Sequence, residues 1–261
     1  YMLTIKTEPK ALMPDVRYSQ GTGFEGHEFF EASSIRKING RYYFVYSSVK
    51  GHELCYAVSD RPDEGYTYGG VVVDNADIFE GDPNRQEGVM AQGNNHGGIE
   101  EANGQWYVFY HRQTDRGSFS RQACAEKIFF DSQGRIRQAE ITSCGLNDGP
   151  LAGEGVYPAN ICCHLSQGGK TTFSHPMAMG ENFPYLTQDE KDITPEDVGF
   201  PESARRDAAF PVQFVRNFKD QSIMGFKYFD CRGLKRAGLT LRGKAEGTIV
   251  VSTVPMTAEN S

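Results

Sequence analysis

The sequence has no long apolar run and no excess of basic residues, and each absence excludes a class of protein. No stretch approaches the roughly 20 apolar residues that a membrane-spanning helix needs. Lys and Arg number 27 against 34 Asp and Glu, for a net charge of −7. Because a basic footprint is missing, we expect the partner to be neither a nucleic acid nor a membrane surface.

The cysteines lack the spacing of a zinc-binding motif. None of the six forms a C-x-x-C pair, which argues against a zinc site. In a chain of 261 residues we expect them to be small, buried and reduced, although their even number leaves disulfides open. They are Cys55, Cys124, Cys144, Cys162, Cys163 and Cys231.

The N-terminus carries no recognisable signal peptide. The chain opens at Tyr1 and runs directly into residues 3–6 (LTIK), which resemble the middle of a structured region. We therefore expect further sequence upstream, and both a cytoplasmic and a secreted location stay open.

The residues that are abundant favour an all-β fold. The 29 Gly and 12 Pro indicate many turns, and the 13 Tyr and 17 Phe favour strands because aromatic rings fit a pleated surface. No helical pattern of convincing length occurs before residue 185. The length allows one large domain or two ordinary ones.

An internal repeat organises the first half of the chain. Residues 35–46 (IRKINGRYYFVY) match residues 99–110 (IEEANGQWYVFY), a distance of 64 residues. Each Asn-Gly pair predicts a type I′ hairpin turn followed by an aromatic strand. The repeat distance allows four-stranded propeller blades with long loops. Since a propeller has roughly four to eight blades, we expect the visible part to be incomplete.

Other segments predict further strands and a second domain. Beyond the hairpins, we predict blade strands within residues 1–175 and, after a charged, turn-rich segment, a β-sandwich at residues 182–261. The predicted blade strands are residues 54–59, 70–74 (an outer strand), 123–130 and 136–141. The predicted sandwich strands are residues 211–215, 222–229, 236–243 and 247–252.

The polar residues that precede each repeated hairpin are candidates for a site. Aligning the repeats puts Glu31 opposite Asn95 and Ala32 opposite His96. The first strand of a propeller blade lines the central channel, so these two strand entries should meet in one pocket. His96 could ligate a metal, bind a sugar hydroxyl, or simply occupy a turn.

Glu31 has the sequence environment of a proton donor. It follows Phe29 and Phe30, and aromatic walls that remove water would raise the pKa of its carboxyl, as a general acid requires. The alternative is a strand-entry glutamate bonded to backbone amides. Periodicity alone does not choose among Glu25, Glu28 and Glu31.

Two segments together resemble glycoside hydrolase family 43. Residues 31–47 (EASSIRKINGRYYFVYS) resemble the general-acid motif of that family, and residues 95–98 (NHGG) with 104–111 (GQWYVFYH) resemble its later H-G motif. Arg121, within Ser-Arg-Gln, resembles the family arginine that faces the sugar. From the residues alone, Arg121 and Arg112 could bind sugar hydroxyls or form ordinary surface ion pairs.

The resemblance implies a five-bladed β-propeller and inverting hydrolysis with Glu31 as the general acid. It also implies that Arg121, His96 and Phe30 contact the substrate and that His96 lies near a calcium ion at the propeller centre. The base Asp and the Asp that tunes the acid match nothing in this chain, and Asp15 lies outside any matching motif. We therefore expect the N-terminal propeller segment, from the same gene or a separate chain, to complete the site.

The last part of the chain resembles a family 6 carbohydrate-binding module. The likeness rests on residues 183–189 (FPYLTQD) and 225–230 (GFKYFD). Tyr185, Phe226 and Tyr228 could be core residues or sugar-binding platforms.

Two functions follow as hypotheses. The first is a xylosidase or arabinofuranosidase acting on plant-wall oligosaccharides, that is, in xylan degradation. The second is a non-catalytic carbohydrate-binding protein, because the general base is missing from the matched motifs. Neither the choice of pentose nor exo against endo action can be decided from the sequence.

Overall fold

The computed structural model describes residues 8–77, 93, 95–114, 121–168, 183–187, 213–241 and 246–253. Over these residues the fold is all-β, as predicted, with thirteen strands and one three-residue 3₁₀ turn at Ala159–Ile161. In the same residues no helix has the length and apolarity to cross a membrane.

The first sheet is a four-stranded antiparallel meander with its strands in chain order. The predicted turn joins the first two strands, with Asn39 at φ 49° and Gly40 at φ 86°, values that favour these two residues. The predicted outer strand lies at the edge of this sheet. The strands are β1 (Phe29–Ile38), β2 (Arg41–Ser48), β3 (Glu53–Ser59) and β4 (Thr67–Asp74).

The second sheet has three antiparallel strands, β5 (Gly98–Ala102), β6 (Gln105–Gln113) and β7 (Arg121–Lys127). Its hairpin turns at Asn103 and Gly104, with φ 53° and 81°. Both hairpins of the repeat are therefore confirmed.

The strand predicted at residues 136–141 is wrong. Only an isolated bridge joins Phe130 and Ile136. The Asp131 carboxylate accepts hydrogen bonds from the backbone amides of Gln133 and Arg135, which tightens the turn. The chain then leaves β7 for the first sheet, where the amide of Ala139 donates to the carbonyl of Val72 at 2.7 Å.

The two sheets share one apolar core, and their first strands lie side by side. An ion pair of 2.8 Å joins Arg36 of β1 to Glu100 of β5, and Gly98 of β5 approaches Ser34 of β1 closely. The core residues drawn from both sheets include Tyr43, Val45, Leu54, Tyr56, Val72, Ile99, Val108, Tyr110 and Ile128. This juxtaposition of β1 and β5 brings the two strand entries together.

A second cluster covers the other face of the first sheet. Phe24 packs there with residues of β2 and β3 that include Phe44, Tyr46 and Cys55. Strands β2 and β3 are thus buried on both faces, which explains their nearly continuous apolar sequences.

The C-terminal strands are short. They are β8 (Leu151–Ala152), β9 (His164–Gln167), β10 (Tyr185–Thr187), β11 (Phe214–Arg216), β12 (Ser222–Gly225) and β13 (Phe229–Asp230). Strand β12 pairs with β9 and β13 pairs in parallel with β8, so hydrogen bonds cross the predicted domain boundary.

The predicted sandwich strands are only partly present. Short strands lie within or beside the segments predicted at 211–215 and 222–229. The predictions for 236–243 and 247–252 are wrong wherever these residues are described, because residues 236–241 and 247–252 are exposed and form no strand. The parallel β8–β13 pair also departs from a purely antiparallel sandwich. The division at residues 175–182 stays a prediction.

All six cysteines are free. Cys55, Cys162 and Cys163 are buried, as predicted, whereas Cys124 and Cys144 are half-buried and Cys231 is exposed.

Candidate active site

Glu31 lies at an irregular point of β1. Its Cα partner is Ser47 of β2, and the register shifts on both sides of it, between Phe29 and Glu31 and again between Glu31 and Ser34. Ala32 has a φ of 59°, which is unusual for a residue with a side chain. Bulges of this kind re-aim side chains and occur beside active sites.

The carboxyl of Glu31 contacts His96, 65 positions away. A hydrogen bond of 2.8 Å joins His96 Nε2 to Glu31 Oε1. The Glu31 side chain is 41% exposed and that of His96 is 34% exposed, so solvent reaches both. The rings of His96 and His111 pack edge to face, with their centroids 5.5 Å apart. The predicted meeting of the two strand entries is confirmed, and the chemical roles of both residues stay predictions.

Backbone contacts hold His96 at this position. The amide of the preceding Asn95 donates to the carbonyl of Gly51 at 2.9 Å, and its side chain donates to the carbonyl of His52 at 3.2 Å. The following Gly97 lies against the Phe109 carbonyl so closely that a Cβ would come within 2.0 Å of its oxygen. The glycine therefore permits the close approach that sets the position of the histidine.

The neighbouring acids differ from Glu31 in how they are held. Hydrogen bonds from backbone amides lower the pKa of Glu25, and backbone amides together with the Ser19 hydroxyl lower that of the buried Glu28. A proton donor needs the opposite influence. Of the three acids that periodicity left equal, Glu31 is the one that contacts His96.

The predicted shielding of Glu31 by phenylalanines is not found. The Phe29 ring packs away from it, against Phe44 and Tyr46 at 6.2 and 5.9 Å between ring centroids. Phe30 is 60% exposed and leaves Glu31 open to solvent. Consecutive residues of a strand point to opposite faces, so two adjacent phenylalanines cannot both cover the same neighbour.

The two candidate arginines have different surroundings. Arg121 is exposed at the start of β7, opposite Gln113 of β6. Arg112 is buried and donates to the carbonyls of Cys162 and Asn160 and to the side chain of Gln122. Arg112 therefore ties the 3₁₀ turn to the second sheet and offers neither a sugar contact nor a surface ion pair.

Glu126 is a buried carboxyl that sequence reasoning missed. Burial raises its pKa to about 7, although Thr142 donates to it through its amide and its hydroxyl, each at 2.7 Å. It borders a cavity of about 300 Å³ that Phe129 and Tyr228 also line, and neither Glu31 nor His96 lines that cavity. Nothing in the sequence marks Glu126, because it lies within an otherwise ordinary strand.

Glu126 should make stability depend on pH. Its folded pKa of about 7 exceeds its ordinary value of 4.5, so the folded state binds the proton more tightly and stability falls as pH rises through this window. The loss is at most roughly 3 kcal/mol. Glu126→Gln should remove it, which urea unfolding at about pH 4 and about pH 8 would measure.

The exposed Glu101 provides the control, since Glu101→Gln should leave the pH profile as in the wild type. A Glu126→Gln variant that loses as much stability with rising pH as the wild type would contradict the assignment.

One group of side chains has metal-ligand chemistry within the described residues, and it consists of His27, Glu53 and Cys55. His96 is not part of it. The calcium ion expected near His96 stays a prediction.

Comparison with known proteins shows which proteins the chain is similar to. No family model matches the chain. It is 47% identical over 255 residues to a xylosidase/arabinosidase of Thermoclostridium stercorarium, covering 97% of this chain and 51% of that protein. It is 35% identical over 113 residues to a beta-xylosidase of Xylanibacter ruminicola, covering 42% of this chain and 31% of that protein.

Among solved structures, a GH43_1 enzyme from Xanthomonas citri is 27% identical to this chain, with a TM-score of 0.34. The match covers 43% of this chain and 30% of the enzyme. The chain spans about half of the first relative and about a third of the second. It is thus similar to part of proteins named as xylosidases and arabinosidases.

Proposed function

We propose that this chain is part of a family 43 glycoside hydrolase that cleaves xylosidic or arabinofuranosidic bonds in plant-wall oligosaccharides. The observation that carries the proposal is the 47% identity to a xylosidase/arabinosidase over 97% of the chain. The contact between Glu31 and His96, which joins the two motifs of the family resemblance, supports it independently.

In this proposal Glu31 protonates the leaving glycosidic oxygen while water attacks the opposite face of the sugar. The hydrogen bond between His96 and Glu31 orients the carboxyl, and the partial exposure of Glu31 leaves it accessible to a substrate. The exposed Phe30 and Arg121 are proposed to contact the sugar. Phe30 lies exposed beside Glu31, and Arg121 lies exposed at the start of β7.

An inverting reaction also needs a carboxylate base about 6.5–9.5 Å from the acid. We propose that an N-terminal propeller segment, outside this chain, supplies it and completes the five blades. The part of the first relative that this chain does not cover is long enough to hold such a segment.

The proposed calcium ion would lie near His96. Hard cations take oxygen ligands, and the side-chain oxygen of the adjacent Asn95 is buried without a hydrogen-bond partner among the described residues. The residues therefore fit such an ion in part, with Asn95 as a ligand and His96 beside it. Calcium would supply positive charge at the centre of the site.

Residues 182–261 are proposed to bind carbohydrate as an appended module. Phe226 and Tyr228 are partly exposed, at 41% and 49%, which suits an aromatic platform better than a core position. Tyr185 is half-buried within β10 and fits a core role better.

The product anomer tests the proposed reaction. The complete protein that contains this chain, incubated with xylo- or arabino-oligosaccharides, should release pentose whose first-formed anomer is inverted, as proton NMR during the first minutes would detect. Retention of configuration would contradict the mechanism. Binding of the oligosaccharides without any release of pentose would favour the non-catalytic alternative.

A further inference from the structure

A separate group of reactive side chains lies on the first sheet and shares no residue with the Glu31–His96 pair. Glu53 and Cys55 alternate with Leu54 along β3 and point to the same face, where His27 reaches them from the loop before β1. His27 Nδ1 is 2.6 Å from Glu53 Oε1. Cys55 Sγ is 3.4 Å from that oxygen and 3.8 Å from the His27 nitrogen.

These distances approach the edges of a tetrahedral zinc site. With zinc–sulfur bonds near 2.3 Å and zinc–nitrogen and zinc–oxygen bonds near 2.1 Å, the ligand atoms of such a site are about 3.4–3.6 Å apart. The two distances from Cys55 Sγ, to Glu53 Oε1 and to His27 Nδ1, differ from this range by about 0.2 Å or less. The third distance, between His27 Nδ1 and Glu53 Oε1, is shorter because these atoms share a hydrogen bond. A bound ion would lengthen it by about 0.8 Å.

The charges and the surroundings also suit a divalent ion. A thiolate and a carboxylate balance two positive charges, and the imidazole stays neutral. Ser48 donates to Glu53 Oε1 at 2.6 Å, and Lys50 lies 3.6 Å from Oε2. Lys50 thus shares the carboxylate charge through the oxygen other than the one that Cys55 contacts.

Access and support complete the geometry. The His27 side chain is 27% exposed, whereas that of Glu53 is 2% exposed, so an ion and a fourth, water ligand can enter past the histidine. The ring of Tyr68 stacks on His27 at 5.0 Å and holds its orientation.

We propose that His27, Glu53 and Cys55 form a binding site for a zinc-like divalent transition-metal ion, with water as the fourth ligand. The C-x-x-C criterion misses such a site because the ligands come from a loop and a strand 26 positions apart. Tyr46 donates to the carbonyl of His27 at 2.7 Å. The ion would therefore fix the loop that leads into β1, four residues before Glu31.

Binding of zinc and cobalt ions to the full 261-residue chain tests the proposal. Titration calorimetry should show one high-affinity zinc ion per chain. Removing a partner of a metal ligand typically lowers affinity 10–100-fold, so removing a ligand in His27→Gln or Cys55→Ser should lower it at least about 100-fold. Cobalt in the wild type should give a thiolate-to-cobalt charge-transfer band that Cys55→Ser abolishes.

His52 provides a matched control. Its Nδ1 contacts Asp74 Oδ1 at the same distance of 2.6 Å, with no third ligand of this kind among the described residues. His52→Gln should leave zinc affinity unchanged. Where Cys55→Ser does not fold, the loss of zinc affinity in His27→Gln decides the question.

Absence of stoichiometric zinc, survival of zinc binding in either ligand variant, or a cobalt complex without the thiolate band would each overturn the proposal. None of these readouts depends on glycoside hydrolysis, so the site and the proposed enzyme function stand or fall separately.

Discussion

Replacing Glu31 with Gln in the complete enzyme should reduce turnover of natural pentosides by about 10²–10⁴-fold, the usual contribution of general acid catalysis. Gln has nearly the same shape but no proton to give to the leaving oxygen. The side chain is 41% exposed and lies at a bulge, so folding should be nearly unaffected. Steady-state rates on xylo- and arabino-oligosaccharides measure the effect.

The leaving group separates a lost proton donor from general damage. Nitrophenyl pentosides need little protonation, so Glu31→Gln should slow their cleavage much less than that of natural substrates. Glu25→Gln is the control, because Glu25 is a nearby acid held as a carboxylate by amides, and its loss should leave turnover unchanged. Wild-type turnover of natural pentosides by Glu31→Gln would refute the role.

Replacing Gly97 with Ala should destabilise the fold by more than about 3 kcal/mol, at the upper end of the cost of overpacking. The added methyl group would lie 2.0 Å from the Phe109 carbonyl oxygen and 3.0 Å from Leu54 Cδ1. Because the first of these atoms belongs to the backbone, rotation of a side chain cannot relieve the clash. Urea unfolding measures the loss, and displacement of His96 should reduce activity in parallel.

Gly238→Ala is the matched control, since a Cβ there would meet nothing within 4 Å and the segment is exposed. It should change stability by no more than about 0.5 kcal/mol. Equal stabilities of the Gly97→Ala and Gly238→Ala variants would show that the segment around His96 is not packed as described.

The elements that the sequence predicted well are those set by local chemistry. Asn39-Gly40 and Asn103-Gly104 adopt positive φ because few other residues do so at little cost, and they place both hairpins. The failed strand at 136–141 shows the limit. The segment follows a turn, but a strand exists only where a neighbouring strand supplies a ladder of hydrogen bonds, whereas Ala139 makes a single bond to Val72 of the first sheet.

The C-terminal strands also depend on partners that the local sequence does not specify. Strand β12 pairs with β9, more than fifty residues earlier, and no feature of either short segment specifies that partner. The alternating residues at 236–241 gain no partner among the described residues and remain exposed.

The sequence by itself determined the all-β class, the two hairpins, and the meeting of Glu31 with His96, because a repeated unit puts equivalent positions in equivalent places. Only the tertiary structure decided which carboxyl groups are buried and which are exposed to solvent. Glu126 is buried beneath Thr142, Glu28 is held by amides, and Glu31 remains open to solvent. It also brought His27 to Glu53 and Cys55. Burial and ligand geometry depend on atoms distant in the chain, and residue type and spacing do not encode those distances.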